Sequence, residues 1–284
     1  PIEETIYFEG NPTLTDIRAW NNTPARNYRV ALDSTYHKSV SPLTELKASK
    51  KFQIIISTYP NADDVGVFSK LALLDAELVL LDPPWPMPNQ IERLNQIGFK
   101  KTVLVLPFYP TKEMAPALNQ IQSQLHITFT AAQYPRSFDK LFFWALSSQV
   151  TTLFAMDYWP YYNQMDVLNL IDQPRRLRIR GGSFPSDDSL DYLYHIKNLR
   201  EIGVEDVSFA RETDWLKIAR FDLEWITQIV PTQQSLEQFK NSAVSSNTKR
   251  KLTVHRDAEL TPDEINRLQN SQVNVEWIKS HSRR

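Results

Sequence analysis

An aromatic residue followed by proline recurs at a nearly constant interval, and this constrains the fold more than any other feature of the sequence. The pairs are Tyr59-Pro60, Trp85-Pro86, Tyr109-Pro110, Tyr134-Pro135, Trp159-Pro160 and Phe184-Pro185. Successive aromatic residues are separated by 26, 24, 25, 25 and 25 positions. An apolar, strand-like run precedes each pair. A fixed period of this length is the sequence signature of a repeat architecture.

Each repeat reads as a short strand followed by about ten residues with helical spacing of apolar positions. Helix ends are marked locally: Gly98 is a C-terminal stop, and Thr261 to Glu264 combine an N-cap, a proline and early acids. About twelve strand-like runs occur between Thr5 and Ile278. The sequence therefore predicts one α/β domain over residues 1–284, with about twelve units of about 25 residues. The polar segment 241–249 is predicted to be a mobile loop.

Two architectures can bury such alternating elements. The first is an open α/β solenoid with a parallel sheet on its concave face and helices on its convex face, and it accommodates about twelve strands directly. The second is a (β/α)8 barrel, which takes only eight strands. The barrel is favoured by apolar residues on both faces of several strands, for example Leu78 to Leu81 and Val103 with Val105. We expect the solenoid on strand count and keep the barrel as the alternative.

Within each unit the spacing resembles that of the leucine-rich repeat, whose strand segment reads L-x-x-L-x-L-x-x-N-x-L. Pro174, Leu177, Ile179, Gly182 and Phe184 occupy these slots in one unit. The asparagine slot departs from the family pattern, because it holds glycine here and no asparagine in the other units. The resemblance implies a divergent leucine-rich-repeat-like solenoid that acts in protein–protein interaction.

Composition narrows the function classes. Lys plus Arg (32) nearly balance Asp plus Glu (33), so nucleic-acid binding is not expected. The chain has no cysteine, and its five histidines lack metal-ligand spacing, so we expect neither a metal site nor a cofactor. No apolar run is long enough for a membrane helix. The absence of cysteine is consistent with a cytoplasmic location, although a signal peptide removed before residue 1 would also fit.

The main functional hypothesis is a non-enzymatic recognition module that binds a protein partner on the concave sheet. In a solenoid the positions between the core residues would line that surface, with an apolar half and a polar half. The predicted partner-binding residues are Ile55, Leu81, Val103, Val105, Arg178, Arg180, Glu205 and His255. Arg178 and Arg180 alternate on one strand face, where they could clamp an anion or pair with neighbouring acids such as Glu205.

The alternative hypothesis is a barrel enzyme, possibly a hydrolase. Asp33, Asp82 and Asp157 each close a strand, which in a barrel places them at the C-terminal mouth beside the two arginines. Paired carboxylates at that mouth could act as general acid and base. Asp82-Pro83-Pro84-Trp85 also resembles the D-P-P-[W/Y] signature of N6-adenine amino-methyltransferases, but no glycine-containing cofactor loop accompanies it.

Overall fold

The strands close into a ring. The computed structural model describes residues 2–33, 40–181, 184, 187–206, 212–245 and 247–282. Within these ranges, twelve strands form one closed barrel in the order β1-β12-β11-β10-β9-β8-β7-β6-β5-β4-β3-β2. Every neighbouring pair is parallel. Chain order and spatial order therefore coincide around the whole ring.

Strands and helices alternate along the chain. The strands are β1 (Ile2–Glu9), β2 (Asn27–Ala31), β3 (Lys51–Ile56), β4 (Glu77–Leu81), β5 (Lys101–Leu106), β6 (Gln124–Phe129), β7 (Thr151–Met156), β8 (Arg175–Arg180), β9 (Leu199–Glu205), β10 (Asp222–Thr227), β11 (Arg250–His255) and β12 (Asn274–Ser282). The α-helices are α1 (Leu14–Asn22), α2 (Val65–Leu73), α3 (Pro88–Ile97), α4 (Ala115–Asn119), α5 (Lys140–Ala145), α6 (Tyr162–Asn169), α7 (Asp187–His195), α8 (Glu212–Lys217), α9 (Gln233–Asn241) and α10 (Pro262–Asn270). Short 3-10 helices cover Ser41–Glu45 and Lys112–Met114.

The open solenoid and the leucine-rich-repeat resemblance are wrong, because the first and last strands pair with each other. The β1–β12 ladder runs from Ile2 opposite Val275 to Glu9 opposite Ser282. An open solenoid would leave both strands as edges. The α/β class and the parallel sheet are confirmed, and closure agrees with the barrel alternative. The ring has twelve strands, however, where that alternative assumed eight.

The hydrophobic core lies between the outer face of the barrel and the helices. Strand residues alternate between this core and the lumen, so that Leu104 and Leu106 on β5 are buried outward while Val103 and Val105 face inward. The repeated aromatic residues also belong to the outer layer. Tyr134 is fully buried, and Trp85, Tyr109, Trp159 and Phe184 pack against the core as partly buried side chains.

Asparagines near the ends of three helices tie neighbouring units together. The Asn95 amide donates to the Gln120 carbonyl, and its oxygen accepts from the Gln122 N–H, both at 2.9 Å. One unit later, the Asn119 amide donates to the Ala145 carbonyl, and its oxygen accepts from the Ser147 N–H. The Asn21 amide likewise donates to the Glu45 carbonyl and accepts from the Lys47 N–H. This tie is made from helix ends, and it does not use the slot that carries asparagine in leucine-rich repeats.

The predicted helix boundaries hold at both marked positions. Gly98 ends α3 in the left-handed region with φ of 78°, a conformation that glycine adopts without a Cβ clash. Thr261 caps α10 by accepting from the Glu264 N–H, and the Glu264 side chain bonds back to the Thr261 N–H. Segment 241–249 links α9 to β11, and its mobility stays a prediction.

Candidate functional site

The barrel encloses a cavity of about 620 Å³ in its lumen. Eight strands make a barrel whose side chains just fill the interior, and wider barrels leave internal space. The cavity runs along the strands, since Asp222 at the start of β10 and His255 at the end of β11 both line it. A space of this size falls within the range of small-molecule pockets in proteins.

One side of the lumen carries ion pairs, which we call the charged arc; five of its residues form one continuous chain, and Arg176 with Glu201 forms a separate pair at 3.5 Å. Its residues are Arg29, Arg176, Arg178, Glu201, Glu224, Lys251 and Glu276. Arg29 Nη2 lies 2.8 Å from Glu276 Oε1, and Lys251 Nζ lies 2.7 Å from Glu276 Oε2. The same Lys251 ammonium lies 3.0 Å from Glu224 Oε1, and Arg178 Nη2 lies 3.2 Å from Glu224 Oε2. Five strands are thereby joined across the interior.

Arg178 reaches Glu224 because a glycine separates them. Gly203 on β9 is in register with Arg178 on β8 and with Glu224 on β10. A Cβ added at Gly203 would already meet Arg178 Cγ at 3.5 Å. The missing side chain lets one guanidinium span the full width of β9, and a large residue at this position would push it aside.

The two central glutamates remain ionised in this setting. Burial alone would raise the pKa of Glu224, which is 8% exposed, but Lys251 and Arg178 outweigh it and lower the pKa to about 2. Burial opposes ionisation of Glu276 too, and Arg29 and Lys251 lower its pKa in the same way. Thr253 donates to Glu224 and Thr5 donates to Glu276, both at 2.8 Å. The two glutamates are therefore well satisfied.

The opposite side of the lumen is the apolar arc, formed by Ile55, Val79, Leu81, Val103, Val105, Leu153 and Ala155. These residues alternate with the outward core positions of β3, β4, β5 and β7. Val79, Val103 and Leu153 line the large cavity directly. At the amino ends of these strands Gln53, Glu77 and Lys101 also line the cavity. A molecule in the lumen would thus meet charge on one side, and on the other side hydrocarbon bordered by this polar end.

Polar groups without partners lie on β6 and β8, the two strands that flank β7, where the apolar arc borders the charged arc. Both ring nitrogens of His126 and the Nε of Arg176 are buried, and none has a hydrogen-bond partner in the described part of the chain. Burial lowers the pKa of His126 to about 4, and the positive charges of Lys101 and Arg176 act in the same direction. His126 is therefore neutral at pH 7, with one N–H donor and one acceptor nitrogen.

A second cavity of about 140 Å³ lies at the carboxyl mouth. Asp157, Arg178, Arg180 and Glu205 line it, together with Thr130 to Ala132 just after β6 and with Ala155 and Met156 on β7. Arg180 Nε lies 3.7 Å from Glu205 Oε1, and the Arg180 side chain is 66% exposed. Since Arg178 and Glu205 also line the large cavity, the two spaces adjoin.

Of the three predicted catalytic acids, the structure brings only Asp157 to a cavity. Asp33 and Asp82 follow β2 and β4 and are exposed, and neither is among the residues that line the two cavities described above. Asp82 has a φ of 47°, which fits a turn residue at the strand end. Arg178 and Arg180 lie together, and Arg180 pairs with Glu205 as the paired-acid interpretation predicted.

The predicted partner-binding residues do not form an open surface. Val103, Arg178, Glu205 and His255 line the large cavity, and Arg180 lies at the mouth. By strand alternation Ile55 and Val105 also face the lumen, and Leu81 at the end of β4 is 48% exposed. The concave sheet expected of a solenoid is the inner wall of a closed barrel, so the protein–protein interaction interpretation is corrected here.

Several site residues were missed at the sequence level, namely Arg29, His126, Arg176, Glu224, Lys251 and Glu276. A usable signal was present, since charged residues recur at inward positions of successive strands, as in Glu224, Lys251 and Glu276. In an open sheet such residues are simply solvated. These three residues are neighbours in an open or a closed sheet, and closure adds the confined space and brings Arg29 to Glu276.

Two comparisons, with family models and with curated proteins, find no match. No family model matches the sequence, and no curated protein matches it significantly. Among the described residues, no helix has both the length and the apolarity needed to cross a lipid bilayer. The same part of the chain contains no cluster of three or more His, Asp or Glu side chains suited to hold a metal ion. The candidate site is therefore defined by its own geometry, as a lumen with one charged and one apolar wall.

Proposed function

We propose that this barrel binds a small polar molecule inside its lumen. The observation that carries the proposal is the cavity of about 620 Å³ between the charged arc and the apolar arc. Ligand sites typically combine apolar walls with a few convergent polar groups, and this cavity has both. The ion pairs of the charged arc hold its side chains in fixed positions, so little ordering would be needed when a ligand enters.

The test is a thermal-shift and native mass-spectrometry screen against a library of small polar molecules. A ligand at 100 times its Kd stabilises the folded state by about 2.7 kcal/mol, which is readily measured. Val103→Trp fills the lumen and should abolish each shift. Leu73→Trp, at an 86% exposed position on α2, is the matched control and should retain it. Ligands that bind both variants equally, or a screen without ligands, would contradict the proposal.

A second candidate function is hydrolysis at the carboxyl mouth. It is favoured by the small cavity that places Asp157 and Glu205 with Arg178 and Arg180, since barrel enzymes carry their catalytic groups at this end. One carboxyl group would donate a proton to the leaving group and the other would activate water, while the arginines would bind an anionic intermediate.

Chromogenic esters and glycosides test this second candidate. Asp157→Asn and Glu205→Gln should each lower the hydrolysis rate by about 10²-fold or more, because each removes a general acid or base. Asp82→Asn removes a strand-end acid that does not line the cavity, and it should leave the rate unchanged. Equal losses in all three variants would rule out a specific role for the mouth acids.

A further inference from the structure

We infer that the junction of the two arcs binds the carboxylate group of a small organic acid, with Arg176 and His126 as its ligands. This inference rests on the proposed function, because it assigns a substrate class to the same lumen. Three independent observations support it: unpaired donors, the local charge, and the position of the nearest apolar side chains.

The first observation is the set of unpaired donors. Arg176 Nε is buried and has no partner among the described residues, and its Nη1 reaches Glu201 Oε2 only at 3.5 Å. Buried polar groups are nearly always hydrogen-bonded, so a free guanidinium edge inside a cavity points to a ligand. That edge is planar and matches the two oxygens of a carboxylate. Neutral His126 can add one N–H donor.

The second observation is the local charge. Burial is the largest cause of the lowered pKa of His126, the positive charges of Lys101 and Arg176 lower it further, and Glu77 opposes them. Lys101 Nζ is already engaged, since it lies 3.0 Å from each Glu77 carboxylate oxygen. One guanidinium edge and one neutral imidazole suffice for a single negative charge. A dianion such as phosphate would require further donors.

The third observation is that apolar residues adjoin both polar groups. Val103 on β5 is in register with His126, and Leu153 on β7 is in register with Arg176. Val103 and Leu153 line the same cavity. A carboxylate held by Arg176 would therefore place its carbon skeleton against the apolar arc, so a short aliphatic acid fits better than a fully polar anion.

The experiment measures binding of acetate, butyrate and hexanoate by NMR of the histidine ring resonances, with hexanol and inorganic phosphate as comparison probes. Each added methylene should tighten binding by about fourfold if the chain is buried. Hexanoate should also raise the pKa of His126, because an adjacent anion stabilises the imidazolium. Arg176→Gln should weaken hexanoate at least tenfold. Arg18→Gln, at an exposed position on α1 away from both cavities, is the control and should bind normally.

Each other outcome overturns a defined part of the inference. Equal affinity for hexanol and hexanoate in the wild type would overturn the carboxylate assignment, and this comparison decides the matter if Arg176→Gln does not fold. Tighter binding of phosphate would overturn the monoanion assignment. If the lumen binds neutral molecules that Val103→Trp excludes while no acid binds, only this inference fails. If Val103→Trp still binds hexanoate, the lumen site itself fails.

Discussion

The apolar arc and the charged arc come from the same repeat, and they differ only on the lumen side. Their outward residues are alike, as Leu104 on β5 and Leu252 on β11 show, since both are buried against the helices. Their inward residues differ, since β5 presents Val103 and Val105 after Lys101, whereas β11 presents Lys251, Thr253 and His255. The outward positions therefore specify the barrel, while the inward positions are free to specify what the lumen holds.

The largest expected effect separates the two faces of one strand in the apolar arc. Leu104→Asp puts an unpaired charge into the packed outer core and should abolish folding. Val103→Asp puts the same charge into the lumen near Lys101 and Arg176, and it should cost less than about 2 kcal/mol. Circular dichroism and urea unfolding measure both. A Val103→Asp variant that fails to fold would show that the apolar arc is a packed interior.

The next effect concerns the charged arc. Glu224→Leu removes the shared partner of the half-buried Arg178 and Lys251, and it should destabilise the protein by about 1.5–3 kcal/mol. Glu205→Leu removes a partner of the exposed Arg180 and should cost less than about 1 kcal/mol. Urea midpoints of the two variants give the comparison. Equal costs would mean that the charged arc is solvated like an ordinary surface.

Acid should weaken the charged arc in a defined pH window. The folded-state pKa of Glu224 is about 2, below its ordinary value of 4.5, so the folded protein binds this proton less readily than the unfolded chain. The resulting stability is complete above pH 4.5 and is lost as the pH falls towards 2. We expect a loss of about 2–3 kcal/mol from this group. Glu224→Gln should remove this component, and an unchanged acid profile would contradict the assignment.

A smaller pH effect is expected at the junction of the arcs. The folded-state pKa of His126 is about 4, against an ordinary 6.5, so the unfolded chain takes up this proton first. Stability should therefore fall by roughly 1–2 kcal/mol between pH 6.5 and 4. The loss stays modest because His126 lines a cavity that is large enough to hold water. His126→Gln should flatten the profile in this window and leave the loss below pH 4 intact. NMR titration of the imidazole gives the pKa directly.

The sequence predicted the local structure well because local structure depends on nearby residues. The aromatic-proline repeat, the stop at Gly98 and the cap at Thr261 each concern contacts within one unit or between adjacent units. Closure depends instead on β1 meeting β12, which are separated by almost the whole chain. A sheet built from the same repeat can close into a barrel or extend as an open solenoid, depending on a small difference in curvature between units. That difference is not specified by any single residue.

The candidate site was predictable only in part for the same reason. Arg178, Arg180 and Glu205 were identified because they stand in one or two adjacent strands. The link from Arg178 to Glu224 crosses β9 through Gly203, and Arg29 reaches Glu276 only through the closed ring. A list of charged inward residues could be drawn up from the repeat, but the pair of Arg29 with Glu276 required the barrel.

A disulfide across the closing strands tests the central claim most directly, and the cysteine-free chain makes the test clean. Tyr7 and Ser280 are register partners on β1 and β12, so Tyr7→Cys/Ser280→Cys places two thiols on adjacent strands within bridging reach. The control pair, Glu9→Cys/Ala31→Cys, joins β1 to β2, which are neighbours in an open or a closed sheet. The closed barrel predicts that dilute oxidation links both pairs within one molecule, seen as a loss of two hydrogens by mass spectrometry. Bridging of the control pair with free thiols at positions 7 and 280 would show that the ring is open.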